Sequence, residues 1–185
     1  MKRRDFIVKT AASTAFLSLG GITLSSFDSK KTKRITILHT NDTHSHIEAF
    51  PANHTINPNK GGVARRATLV HQIRTENPNT LLLDAGDMFQ GTPYFNFYGG
   101  ELEFKMMNLL KYDAATLGNH EFDNGVNGLA KQAPIADFDI LCANYDFKNT
   151  LMNGFTKPYK VYVKDGIKIG VFGVGIKLEG LVNKR

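Results

Sequence analysis

Apolar residues fall in short blocks of two kinds along the chain, separated by polar and glycine-containing segments. The unbroken run in "RITILHT" predicts a first strand at about 35–40, and "TLLLDAGD" predicts a second with the continuous apolar character of a strand buried on both faces. Between them Val63, Ala67, Val70 and Ile73 recur at spacings of three and four, which predicts an amphipathic helix stopped near Pro78. A second helix fits "GELEFKMMNLLKY", with Leu102, Met106, Leu109 and Leu110 on one side and a turn at Gly99 and Gly100 before it. "DAATLGN" predicts a third short strand, "NGVNGLAKQAP" a short helix ended by Pro134, and "DILCANY" a fourth strand. "YKVYVKDGIKIGVFGVG" reads as two strands joined by a tight turn at Asp165-Gly166. Strands alternating with helices imply an α/β fold with right-handed crossovers and a mostly parallel sheet.

Composition narrows the picture little: 42% hydrophobic residues in 185 suit one globular domain. The net charge of +6 looks like a sign of nucleic-acid binding, but half of it sits in the first nine residues. With no basic stripe interleaved with aromatics, a nucleic acid polymer is not expected as a partner. Cys142 is the only cysteine, so no intramolecular disulfide or thiolate cluster is possible and any metal must use His, Asp, Glu or Asn. The N-terminus has a charged start and a mild apolar stretch from Thr10 to Leu24, too short and polar for a stable membrane span. Residues 1–27 therefore read as an export signal, and Arg3-Arg4 followed by Asp5-Phe6-Ile7 resemble the twin-arginine type. Residues 28–34, "DSKKTKR", read as a linker into a mature domain over 35–185, expected to be periplasmic or secreted.

The informative polar residues stand where strands end. The first strand runs into Asp42 and His44, the second into Asp84 and Asp87, the third into Asn119 and His120, with Asp123 close behind. In an open parallel sheet the carboxyl ends of the strands share one edge, so three clusters distant in sequence converge there. Carboxylate, imidazole and amide donors without thiolate suit Mn²⁺, Fe²⁺ or Zn²⁺. One aspartate can bridge two such ions roughly 3.5–4 Å apart. Taken one at a time these residues have plainer readings. Asp42 and Asp84 fit turns after strands, Asn119 fits a helix cap, and Asp123 fits an N-cap for the helix near Gly125. His46 and His54 stand at no spacing that demands a ligand, His39 in the strand is expected to be packed or hydrogen-bonded, with a role at the edge of the site left open, and His71 to lie on the helix surface.

At these positions the chain resembles a known family. "DTH" at Asp42 to His44, "GD" at Gly86-Asp87 and "GNHE" at Gly118 to Glu121 resemble, in order, the first three signature blocks of the calcineurin-like binuclear metallophosphoesterases. More closely, "ILHTNDTHSH", "LLLDAGDMFQGTPYF" and "TLGNHEFDNG" resemble the 5′-nucleotidase and UDP-sugar hydrolase branch, and the likeness runs from about Arg34 to the C-terminus. The resemblance implies part of a four-layer αββα sandwich and hydrolysis of the phosphate esters of nucleotides or sugar nucleotides by a metal-bridged hydroxide. It implies two divalent ions (Zn, Mn, Fe or Co), with Asp42 and His44 on the first, Asp87 bridging both, and Asn119 on the second through its side-chain oxygen. His120 is implied as the residue that stabilises the transition state or protonates the leaving oxygen, and Asp123 as the carboxylate that orients and charges it. Glu121 is expected to face away from the metals.

The family pattern continues with three further histidines, whereas none follows His120 here. The resemblance also implies strands that finish the second sheet and a C-terminal substrate domain, neither of which these 185 residues are expected to supply. The expectation is therefore a C-terminally incomplete catalytic domain, feebly active or inactive alone, poorly soluble because of an exposed apolar edge. Two alternatives stay open: a non-catalytic metal- or nucleotide-binding remnant, and a cyclic-nucleotide phosphodiesterase in the intact form.

Overall fold

The computed structural model describes residues 32–182; the signal-like segment 1–27 and the linker as far as residue 31 lie outside the described residues. Strand β1 (Thr36–Thr40) pairs in parallel with β2 (Thr80–Asp84), in register from Thr36↔Thr80 to Thr40↔Asp84. Leu81 and Leu82 point to opposite faces of β2 and both are buried, as the unbroken apolar run predicts. β3 (Ala114–Ala115), β4 (Asp139–Leu141) and β5 (Thr156–Lys157) follow in the order β1-β2-β3-β4-β5, every pair parallel. All five carboxyl ends therefore open onto one edge. β6 (Tyr159–Lys164) and β7 (Ile167–Phe172) form a separate antiparallel pair. Its turn has Asp165 at φ 49° and Gly166 at φ 75°, the positive-φ pair that a two-residue hairpin requires.

Helices α1 (Val63–Glu76), α2 (Pro93–Tyr98), α3 (Glu101–Leu110) and α4 (Gly125–Gln132) supply Val70, Phe95, Phe104, Met107, Leu110 and Leu129 to one core with Leu82, Ala115 and Ile140. Phe104 is fully buried, its ring 5.0 Å from Phe89 and 5.3 Å from Phe138. Burial of that size contributes about 1.5–3 kcal/mol. No helix among the described residues is long and apolar enough to cross a membrane.

The expected face of α3 needs correction. Of the four expected residues Leu110 is buried, Leu102 and Met106 are half-buried and Leu109 is 74% exposed, while Phe104 and Met107 join Leu110 on the core side. Gly100 decides this: at φ 102° it brings the chain so close that a Cβ there would lie 2.3 Å from the Phe89 ring. That approach seats Phe104 on Phe89 and leaves Leu109 on the solvent side. α2 and β5 are additions to the expected elements. A Pro at the first turn and Gly99 at φ 60° bound α2, while "TK" of β5 offers no apolar run and is a strand only because β4 pairs with it.

Beyond β1 the sheet leaves apolar groups open: Ile37 is exposed, as are Val161, Val163, Phe172, Val174 and Ile176 on and after the hairpin. His39, Leu83, Ala114 and Leu141 line a cleft of about 330 Å³ with Phe172 and Val174.

Candidate metal centre

The strand-end edge is assembled mainly by backbone hydrogen bonds. After β1 the chain passes through Asp42 (φ 50°), His44 (φ 45°) and Ser45 (φ 54°), a left-handed conformation that costs a non-glycine residue about 1–2 kcal/mol. The turn is held by the loop after β2. The N–H groups of Asp42, His44 and Ser45 donate to the carbonyls of Gly86, Asp87 and Met88 at 2.9, 3.1 and 2.9 Å. Gly91 lies so close that a Cβ would stand 2.7 Å from the His44 Cβ.

Asp87 is also left-handed, at φ 56°. Its Oδ1 accepts from the His120 N–H at 3.0 Å, and a Cβ on Gly118 would fall 2.2 Å from that oxygen. Only glycine at 118 lets the third strand end reach the aspartate. His44, Asp87 and His120 then each offer a ligand atom, all within 4.8 Å of one another. A cation with ligand bonds of about 2.0–2.2 Å closes that spread with small side-chain shifts. The donors are imidazole and carboxylate, and the sole cysteine, Cys142, is buried elsewhere, so the set fits a borderline divalent ion.

Two interactions orient the imidazoles. His44 Nδ1 lies 3.3 Å from the Phe89 carbonyl, so a proton there leaves Nε2 as the donor atom, 3.7 Å from Asp42 Oδ1. His120 Nδ1 lies 2.8 Å from Asp123 Oδ2. That hydrogen bond raises the His120 pKa above the ordinary histidine value, with burial opposing it and the charges of Asp123, Asp87 and Glu121 adding to it. The shift favours the protonated ring, whose Nε2–H is left as a hydrogen-bond donor; only the neutral ring could offer Nε2 to a metal. The two rings meet edge to face with centroids 5.0 Å apart.

Of the other expected residues, Asp42 reaches the group through His44, and Asn119 stands at the start of the 3₁₀ turn His120–Phe122 without making a cap hydrogen bond. The N-cap of α4 is Asn124, so Asp123 is not that cap; its carboxylate goes to His120. Asp84 stays apart: it accepts from Thr40 Oγ1 at 2.5 Å and from the Gly86 N–H at 2.9 Å, and burial pushes its carboxyl up to about 6. His46 and His54 flank Phe50 at centroid distances of 4.4 and 4.5 Å, while His39 and His71 are exposed.

Glu121 is the residue that sequence reasoning missed. It is 1% exposed and its carboxylate accepts from the N–H groups of Asp87, Met88, Phe89 and Gly118. Burial pushes the carboxyl up to about 7 against the pull of those donors. The available signal was its spacing: a glutamate three residues after Gly118 can reach back to that N–H like the acidic half of a capping box.

A family model described as calcineurin-like phosphoesterase matches residues 35–176. A snake venom 5′-nucleotidase of Naja atra is 45% identical over 152 residues, covering 77% of this chain and 28% of the relative. A 5′-nucleotidase of Homo sapiens is 43% identical over 173 residues, covering 88% and 29%. Among solved structures, a 5′-nucleotidase precursor from Thermus thermophilus aligns with TM-score 0.70 at 41% identity, over 76% of this chain and 28% of that one. The NAD nucleotidase of Haemophilus influenzae aligns with TM-score 0.73 at 32% identity, over 81% and 28%. The chain thus spans less than a third of the length of these relatives.

Proposed function

The chain belongs to the calcineurin-like phosphoesterase family, and from that premise we propose that it forms the metal-holding part of an exported phosphoric monoester hydrolase acting on nucleotides. The observation that carries the reading is the convergence of three strand ends, with side-chain atoms of His44, Asp87 and His120 within 4.8 Å of one another and Asp123 bound to His120. The nucleotide class is supported by relatives named for nucleotide hydrolysis, and sugar nucleotides fall within the same reading. Residues 1–27 would direct twin-arginine export, and 28–34 would serve as the linker.

In this reading Asp42 and His44 would hold one divalent ion and Asn119, through its amide oxygen, the other, with Asp87 available to either. Zn, Mn, Fe and Co all suit the donors. When bound, such a pair polarises a phosphoryl group and lowers the pKa of water. The chain's own residues do the rest. Asp123 fixes the Nδ1 proton of His120, which directs Nε2 outward as a charged donor. From there it stabilises phosphoryl oxygens or gives its proton to the leaving oxygen.

The test is metal-dependent release of phosphate from AMP by the complete gene product. No release with Zn²⁺, Mn²⁺, Fe²⁺ or Co²⁺ sinks the reading, and a His120→Asn variant that keeps the wild-type rate sinks the role given to that imidazole.

A further inference from the structure

The loop after β2 uses both sides of its backbone. Its carbonyls at Gly86, Asp87 and Met88 receive the N–H groups of Asp42, His44 and Ser45, and the Phe89 carbonyl faces His44 Nδ1. Its N–H groups at Asp87, Met88 and Phe89 turn the other way, onto Glu121. Oε2 takes Asp87 at 2.9 Å and Gly118 at 2.7 Å, while Oε1 takes Met88 at 2.7 Å and Phe89 at 3.1 Å. Successive N–H groups closing on one anion form a backbone concavity for negative charge. Here the anion is a side chain of the same fold, and the Gly118 N–H from the third strand end shares it.

Every element that presents a candidate ligand therefore meets at this carboxylate within one or two hydrogen bonds. Asp87 and the turn bearing Asn119 and His120 touch it directly, and Asp42 and His44 hang on the carbonyls of the loop it holds. We propose that Glu121 is the positioning residue of the metal centre: a buried carboxylate that sets the spacing of Asp42, His44, Asp87, Asn119 and His120 before any cation arrives. The proposal rests on the functional reading above for what those residues bind, but the positioning itself is a property of the metal-free chain.

Gln is the sharp substitution because it keeps the shape while turning one acceptor oxygen into an NH₂ donor. Two of the four N–H groups then face a donor in a buried site, where they have no water to turn to. Glu121→Asp keeps charge and both acceptors but withdraws them by one methylene, and should lie between wild type and Glu121→Gln. Phe138→Leu, in the core and separated from Phe89 by the Phe104 ring, serves as the control for general loss of stability.

Two measurements on the chain decide the matter. In metal-free protein, amide hydrogen exchange at Asp42, His44, Ser45, Asp87, Met88, Phe89 and Gly118 should be at least about tenfold faster in Glu121→Gln, with β1 and β2 unchanged, whereas Phe138→Leu should raise exchange without singling out the loops. Mn²⁺ titrated by calorimetry should bind Glu121→Gln about 10- to 100-fold more weakly, the usual cost of losing an outer support of a metal site, and Phe138→Leu as wild type does. Unchanged loop exchange in Glu121→Gln, or a rise matching that of Phe138→Leu, overturns the proposal. If wild type takes up no Mn²⁺, the functional reading falls and the exchange measurement still decides the positioning. If Glu121→Gln does not fold, the same comparison is made with Glu121→Asp, and wild-type exchange in that variant counts against us.

Discussion

The strand-end edge and the β6–β7 hairpin obey opposite rules. At the edge the backbone of residues 42–45, 86–91 and 118–121 is bonded loop to loop, and Asp42, His44, Ser45 and Asp87 sit in left-handed conformations. Glycines there have no room for a Cβ: Gly118 would strike Asp87 and Gly86 would strike Gly118. The hairpin is regular, with Gly170 in open space and Val161, Val163 and Phe172 exposed. Strain and close approach mark the place where side chains must be aimed; regularity with exposed apolar groups marks a surface on which no single position is critical.

The largest effect that would break this contrast is chemical. In the complete gene product, if it is the hydrolase proposed, His120→Asn should cut the metal-dependent rate about 10²- to 10⁴-fold with little change in the urea midpoint. Asp123→Asn should act through the same ring. The His120 pKa is raised by Asp123, so their pairing stabilises the fold at pH below the ordinary histidine value and is lost as pH climbs through the raised one. Without Asp123 the alkaline limb of the rate profile should move to lower pH, which a pH–rate series reads directly.

Next come the two glycines. Gly118→Ala, with its new methyl group against Asp87, should destabilise the chain by about 1–3 kcal/mol and weaken Mn²⁺ binding. Gly170→Ala, meeting nothing within 4 Å, should be neutral or stabilising by about 0.5 kcal/mol. Paired urea titrations compare them, and equal losses would erase the distinction.

Asp84→Asn is of similar or smaller size and opposite sign. Burial raises the Asp84 pKa to about 6, so the wild type gives up stability relative to the variant as pH rises through that value. The variant should be more stable by about 1–3 kcal/mol at pH 7.5 and match the wild type below about pH 4. The smallest effect is expected on the hairpin: Phe172→Thr should change stability by no more than about 0.5 kcal/mol while reducing self-association in light scattering.

How much of this was legible in the sequence depended on how local its cause was. β1 and β2, the hairpin turn and the strand-end clusters follow from short runs and tight spacings. The pairing of His120 with Asp123 lies within one turn of chain. The exposure of Leu109 on α3 was not legible because the contact of Gly100 with Phe89 sets the helix face, and that contact joins residues eleven positions apart. β5 exists through its partner strand alone. Glu121 was passed over because three of its four donors come from a loop more than thirty residues earlier.

The left-handed residues carry one more consequence, for how this gene would change with time. Glycine at 42, 44, 45 or 87 would relax the backbone, so a copy no longer selected for activity would meet stabilising replacements at three of the proposed ligand positions and their neighbour Ser45. Folding stability and retention of the site pull in different directions there. Erosion of such a copy should therefore begin at its strand ends and leave the core for last.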